Sequence, residues 1–283
     1  IGGKSVRLSI LNRLLSNNFV NYLTGRRLSI EFTVVIPARF ASQRLPGKPL
    51  RDVDGKPLIQ RTFEAAVQSG ASAVVVATDD EAIARVVDSF GGTACMTDPS
   101  HASGTDRVAE AVQKIGLPAD AIVVNLQGDE PGMPSDLIRQ VAQELVDHGG
   151  ASIATACCHL EHPEEYDNPD VVKVVRDCNR YALYFSRAPV PFCRAHQPDT
   201  DDRIAWSEIR RHVGIYAYHC SYLSTFTART MAPPEAAEKL EQLRALWYGD
   251  RIIVCDAATR PGPGVDTLDD LEKVIREYQS RGQ

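Results

Sequence analysis

The chain lacks an apolar run long enough to cross a bilayer, which takes about 20 consecutive predominantly apolar residues, so no membrane insertion is expected. It also lacks the CxxC pairs of zinc sites and the cysteine framework of small secreted domains. Its seven cysteines are scattered, with Cys157 and Cys158 adjacent, and a reducing compartment is the simplest expectation. No GKS or GKT closes a glycine-rich loop, which excludes the Walker phosphate-binding motif. Surplus positive charge is missing too: a net charge of −6 argues against a general nucleic-acid binder and makes any cation cluster a local device. What is present, 43% hydrophobic and 24% charged residues over 283 positions, is the balance of a globular chain with one large core or a core plus a smaller lobe.

Residues 1–31 read as an N-terminal extension. Arg7, Arg26 and Arg27 occur there among Leu, Asn and Ser, but without the apolar core or small-residue cleavage pattern of a secretory signal. The folded domain is expected over 32–283. It is organised around Val34–Leu50, where an apolar run stops at Pro37 and is followed by Arg39, Arg44 and Lys48 in a loop shaped by Pro46, Gly47 and Pro49. The run reads as a buried parallel strand whose end delivers three cations to one crevice, the place where open α/β sheets bind ligands. Three cations on a fixed backbone suit a triphosphate. A solvated basic loop is the competing reading.

Beyond that loop the chain alternates strand and helix. Leu58–Ser69 is expected as a helix ending at Gly70, Ala73–Ala77 as a strand, and Thr78-Asp79-Asp80 as the cap of a helix to Ser89, a rhythm that predicts a parallel sheet. Ser103-Gly104-Thr105 before a helical run is a loop that can approach a base or ribose closely, with Asp106 and Arg107 as caps or braces. Ile122–Leu126 is strongly strand-like and runs into Gln127-Gly128-Asp129-Glu130. Asp129 at that strand end is a candidate magnesium ligand, with a helix-capping role as the alternative.

From 159 to 222 the pattern changes to short strands, Val171–Arg176 and Tyr181–Phe185, joined by an Asp-Cys-Asn turn and expected to be antiparallel. This region is expected as a smaller β-containing lobe whose exposed strand edges offer a dimer contact, and 196–206 as a polar surface loop. In Arg211–Tyr216, His212 and Tyr216 fall on one strand face, with an exposed polar role expected for the histidine. A helix over 234–248 is expected to carry Glu241, Gln242 and Arg244. Asp266, in the turn Gly262–Thr267, is a second acidic residue that could face the same metal as Asp129.

Together the basic loop, Ser103–Arg107, Gln127–Pro131, Tyr184–Arg187, Arg211–Tyr216, Leu240–Arg244 and Gly264–Thr267 closely resemble the 3-deoxy-manno-octulosonate (Kdo) cytidylyltransferases, over about Phe32 to Tyr278. Asp106 stands where that family often has glutamate. The resemblance implies a Rossmann-like α/β nucleotidyltransferase fold with a mostly parallel sheet flanked by helices, and a smaller β-containing dimerisation lobe. It implies a cytoplasmic homodimer that uses magnesium and CTP to activate Kdo for lipopolysaccharide synthesis. Carried onto this chain, it gives Arg39, Arg44 and Lys48 as triphosphate ligands, Asp129 and Asp266 as magnesium ligands, and Ser103, Gly104 and Thr105 as the nucleotide loop. Gln127, Arg187, His212, Tyr216, Glu241 and Gln242 would surround the sugar acid. The alternatives are a cytidylyltransferase for another sugar acid, such as a sialic acid or 8-amino-Kdo, and a catalytically silent nucleotide-binding regulator.

Overall fold

The computed structural model describes residues 30–41, 44–193 and 209–281. Most of the expected extension, through residue 29, and the polar loop 196–206 lie outside these. Among the described residues no helix is long and apolar enough to cross a membrane.

The elements run β1 (Phe32–Ala38), a 3-10 turn (Lys48–Leu50), β2 (Asp52–Val53), β3 (Lys56–Pro57), α1 (Leu58–Gln68), β4 (Ala73–Thr78), α2 (Glu81–Ser89), β5 (Ala94–Met96), α3 (Gly104–Ile115), β6 (Ile122–Leu126), α4 (Ser135–Asp147) and β7 (Ile153–His159). They continue as α5 (Glu164–Asp167), β8 (Lys173–Arg176), β9 (Ala182–Ser186), β10 (Arg210–His219), α6 (Cys220–Thr227), α7 (Pro233–Glu238), α8 (Gln242–Trp247), β11 (Ile252–Asp256) and α9 (Leu268–Arg281). The central sheet has the order β11-β7-β10-β6-β1-β4-β5. β1 pairs in parallel with both β4 and β6, and β11 with β7, while β10 is antiparallel to β6 and β7. β1 has every residue buried, as a strand covered on both faces must be.

Two apolar layers sandwich the sheet because alternate residues of each strand point to opposite faces. Val34, Ile36 and Val124 pack with Ile59, Leu137 and Val141 on one side; Val35, Val75 and Val123 pack with Val108, Val112 and Leu223 on the other. The chain leaves β1 toward β4 and β5 and then returns to β6 on the opposite flank. That reversal opens a crevice beyond the carboxyl ends of β1 and β6. A third, smaller cluster, Leu45, Val53, Leu58, Val265, Leu271 and Val274, fastens the basic loop and the turn before α9 to each other.

Three features differ from the sequence reading. The segment 159–222 does supply the antiparallel hairpin β8–β9, but β8 also pairs with β10, so both strands extend the main sheet. The helix expected over 234–248 is broken: Lys239, at φ 54°, ends α7, and α8 starts only at Gln242. The left-handed region costs a lysine roughly 1–2 kcal/mol, so this break is held by its surroundings and not by local preference. His212, expected to be exposed, is buried at 9% relative accessibility.

Lys173 on β8 is fully buried, and its ammonium donates to the carbonyls of Asn168, Val171 and Arg187 at 2.9, 2.6 and 2.8 Å. Burial lowers its pKa below the ordinary lysine value. Lys173→Met keeps the aliphatic stem but strands three carbonyls without a donor. We expect a loss of about 3 kcal/mol or more, read as a lower urea midpoint with an unchanged slope; an unchanged midpoint would reject the role.

Candidate active site

The crevice is a cavity of about 570 Å³ whose lining includes Pro37, Arg39, Arg44, Lys48, His101, Ser103, Gly104, Arg107, Gln127, Asp129, Glu241 and Asp266. Its construction starts at Gly47, whose φ of 66° lets the chain turn sharply into the 3-10 segment and point Lys48 inward. Gly128 follows β6 where a Cβ would lie 2.9 Å from the Pro37 carbonyl, so only glycine permits this approach of the two strand ends. Thr62 Oγ1 donates to the Gly128 carbonyl at 3.2 Å, and Val265 N donates to the Asp129 carbonyl at 2.8 Å, fixing both sides of the turn.

Lys48 is the hub. Its ammonium donates to Asp129 Oδ2 at 2.7 Å, to the Val265 carbonyl at 2.9 Å and to Asp266 Oδ1 at 3.1 Å, using all three protons. Burial alone would depress its pKa, but Asp129 and then Asp266 override that and hold it above the ordinary lysine value. Arg44 reaches Asp266 Oδ2 at 3.0 Å. The three cations and two aspartates of the sequence reading therefore meet in one place.

On the opposite wall, Ser103 caps α3, accepting from Asp106 N at 3.2 Å and donating to the Asp106 carboxylate at 2.9 Å. Thr105 does not line the cavity; it is buried, and its hydroxyl donates to Glu241 Oε2 at 2.5 Å. Burial raises the Glu241 carboxyl above its usual range against the opposing pull of the Thr105 and Ser103 hydroxyls. Arg107 is a brace, donating to Thr97 Oγ1 and Asp79 Oδ2 at 2.5 and 2.8 Å. Gln127, which donates to Asn125 Oδ1 at 3.1 Å, and Glu241 share this cavity with the cations.

The remaining residues of the expected sugar-acid set lie elsewhere. His212 lines a neighbouring cavity of about 520 Å³ together with Glu130, Arg211 and Arg260. Gln242 is buried at the start of α8. Arg187 commits its guanidinium to the carbonyls of Glu238 and Pro169 at 2.7 and 2.8 Å. His212 and Tyr216 are close, with ring centroids 5.4 Å apart, although four residues of regular strand span about 13 Å. A bulge between Val213 and Tyr216 in β10 brings them together. Burial, and then the Glu241 charge, raise the Tyr216 phenol above its ordinary pKa, keeping it a neutral donor.

The sequence reading missed His101 as a wall residue. Its Nε2 lies 2.6 Å from Glu110 Oε2, and the only signal for it was its place at the head of the Ser103 loop.

Among the described residues no group of three or more His, Cys, Asp or Glu is arranged to hold a metal. The convergence of Asp129 and Asp266 on one ammonium nonetheless fits a magnesium site of two protein carboxylates completed by substrate oxygens and water, since these hard oxygens already gather about a positive charge.

With this geometry in place, the comparisons with known proteins narrow the class. Residues 33–252 match the cytidylyltransferase family. The chain is 49% identical to a 3-deoxy-manno-octulosonate cytidylyltransferase of Vibrio parahaemolyticus over 87% of its own length and 97% of the relative's. It is 51% identical to the enzyme of that name from Halorhodospira halophila, over 88% and 97%. A solved structure of CMP:2-keto-3-deoxy-manno-octonic acid synthetase complexed with CTP superposes at TM-score 0.81 and 41% identity, covering 89% of this chain and all of that one. The fold is thus that of an α/β nucleotidyltransferase. Within that class the chain belongs to the 3-deoxy-manno-octulosonate cytidylyltransferase family.

A pH dependence of stability follows from the bulge. Thr155 spends its single proton on the Ile215 carbonyl at 2.7 Å, so His212 Nε2, 2.9 Å away, is the donor to Thr155 Oγ1. Burial pushes the His212 pKa down to about 3, so the folded protein binds fewer protons there than the unfolded chain below pH ~6.5. Stability contributed by the neutral ring is complete above that pH and is lost as pH falls toward about 3. His212→Gln should flatten the fall in melting temperature between pH 7 and 5; parallel profiles for the two proteins would refute this.

Proposed function

We propose that this chain transfers CMP from CTP to the anomeric hydroxyl of Kdo, forming CMP-Kdo and releasing pyrophosphate. The observation that carries the reading is the single cavity in which Arg39, Arg44 and Lys48 meet Asp129 and Asp266, walled also by Ser103, Gly104, Gln127 and Glu241. The names of the relatives, and the CTP bound to the similar structure, supply the substrates.

Both substrates are anions, so the protein's first task is to suppress their repulsion. Arg39, Arg44 and Lys48 bind the triphosphate and stabilise charge that accumulates on the leaving pyrophosphate as the oxygen–phosphorus bond breaks. Ser103 and Gly104 receive the nucleoside, and the missing Cβ of the glycine lets Gln127 and Pro37 pack against it. Gln127 and Glu241 orient the sugar hydroxyls, and Glu241, held on Thr105, keeps the acceptor in register with the nucleotide loop. Tyr216 feels the Glu241 charge and Gln242, next after Glu241 in the chain, is buried, whereas His212 lines the neighbouring cavity and Arg187 bonds Glu238. Asp129 and Asp266 are the ligands for magnesium, which when bound would supply the electrophilic charge at the α-phosphate and favour ionisation of the attacking hydroxyl. Lys48 holds both carboxylates in place and lines the cavity within reach of a bound phosphate. No covalent intermediate on the protein is needed.

We further propose a cytoplasmic homodimer. Exposed Leu183 and Tyr184 on β9, at 61% and 38% accessibility, offer the contact. A monomeric mass across micromolar concentrations would reject it.

The direct assay is magnesium-dependent pyrophosphate release with CTP and either Kdo, 8-amino-Kdo or N-acetylneuraminic acid, with mass detection of each product. Preference for Kdo supports the assignment, preference for another acid moves the error to the acceptor side, and no product with any returns the regulator reading. Asp129→Asn should cost about a hundredfold or more in turnover, and near-normal rates at every magnesium concentration would remove Asp129 from the site. Lys48→Ala should raise the KM for CTP about tenfold or more as a charged contact is lost; unchanged CTP kinetics would restore the solvated-loop alternative.

A further inference from the structure

We propose that Glu238 is a positioning residue for the acceptor side of the cavity, a role resting on the reading above. Glu238 is the last residue of α7 and sits three positions before Glu241. Its half-buried carboxylate is saturated by donors from β9 and the residue after it. Tyr184 Oη donates to Oε1 at 3.1 Å, Arg187 N donates to Oε2 at 2.6 Å, and Ser186 Oγ lies 3.0 Å from both oxygens. Its carbonyl accepts from Arg187 Nε at 2.7 Å. Arg187 is itself fixed, because Lys173 donates to its carbonyl and its Nη1 reaches Pro169. The start of the connection between α7 and α8 is therefore riveted to the hairpin.

The far end is fixed separately. Thr105 holds Glu241, and the buried pair Arg244–Glu235, at 2.9 and 2.5 Å, ties α8 back to α7. Between these anchors lies Lys239 in the left-handed region, the conformation that reverses the chain so that Glu241 faces the cavity and Gln242 turns inward. An exposed lysine has no side-chain reason to hold that conformation. Glu238 on one side and the bond from Lys239 N to the Glu235 carbonyl at 2.7 Å hold it there. Arg187 thereby serves the acceptor side through Glu238.

The test uses Glu238→Gln, which preserves shape but removes the charge and turns Tyr184 Oη or Ser186 Oγ from donor to acceptor, together with Glu238→Asp, which keeps two acceptor oxygens. The Gln variant should raise the KM for Kdo about tenfold while the Kd for CTP stays within about twofold of wild type, with part of the loss recovered in the Asp variant. Amide hydrogen exchange at residues 239–242 should accelerate in the Gln variant whether or not Kdo is the acceptor. Accelerated exchange in a protein inactive with Kdo would overturn the substrate and leave the anchor standing. If the Gln variant does not fold, Tyr184→Phe with Ser186→Ala removes two donors and should give the same split at smaller size. Unchanged exchange and unchanged acceptor KM, or equal losses for CTP and acceptor, would overturn the proposal.

Discussion

The site depends on one half-buried ammonium. Lys48 binds two carboxylates that lie 81 and 218 residues further along the chain. Without it, Asp129 and Asp266 would face each other as like charges in a half-buried crevice, an arrangement that raises a carboxyl pKa or drives the groups apart. The fold supplies the rest of that contact: the small apolar cluster of Leu45, Val53, Leu58, Val265, Leu271 and Val274 seats the basic loop beside the turn carrying Asp266. Gly128 lets the end of β6 close on the end of β1, so Asp129 arrives from below. Remote parts of the sequence thus meet through ordinary packing, and the ion pairs only set the last ångströms.

Much of this was legible in the sequence for a physical reason. β1, β4 and β6 are mostly apolar without the polar alternation of a half-exposed strand, as strands covered on both faces require, and each ends where a polar loop begins. Arg39 directly follows the end of β1 and Asp129 closely follows the end of β6, where a parallel sheet must present them. Asp80 as the cap of α2 was equally readable, since a short carboxylate before a helix satisfies the amides of Ala82 and Ile83.

What stayed hidden was set by tertiary contacts. Pro233–Trp247 carries no glycine or interior proline to announce a break, and the reversal at Lys239 is imposed by Glu238 and Glu235. His212, directly after Arg210 and Arg211, looked solvated, yet its ring packs against Phe185 and Tyr216. The β10 bulge depends on Thr155 of β7 bonding the Ile215 carbonyl, a partner 60 residues away that no local pattern reveals. Thr105 reads as a nucleotide-loop hydroxyl from its neighbours, but its proton goes to Glu241, 136 residues on.

The chain's charge explains why the cations are so concentrated. A protein at −6 repels anionic substrates at long range, but screening limits that field to about 8 Å at physiological ionic strength. Beyond that distance the surface hardly matters; within it, the local excess at the cavity mouth decides. Arg39 and Arg44 stand at the cavity's open rim, where Arg44 is 63% exposed along its side chain, whereas Lys48 at 13% lies deep between the aspartates. The two arginines are the cations an approaching anion meets first, and the lysine lies beyond them between two carboxylates. Lys48 spends its charge on Asp129 and Asp266, so the exposed positive charge of the cavity stands at its rim.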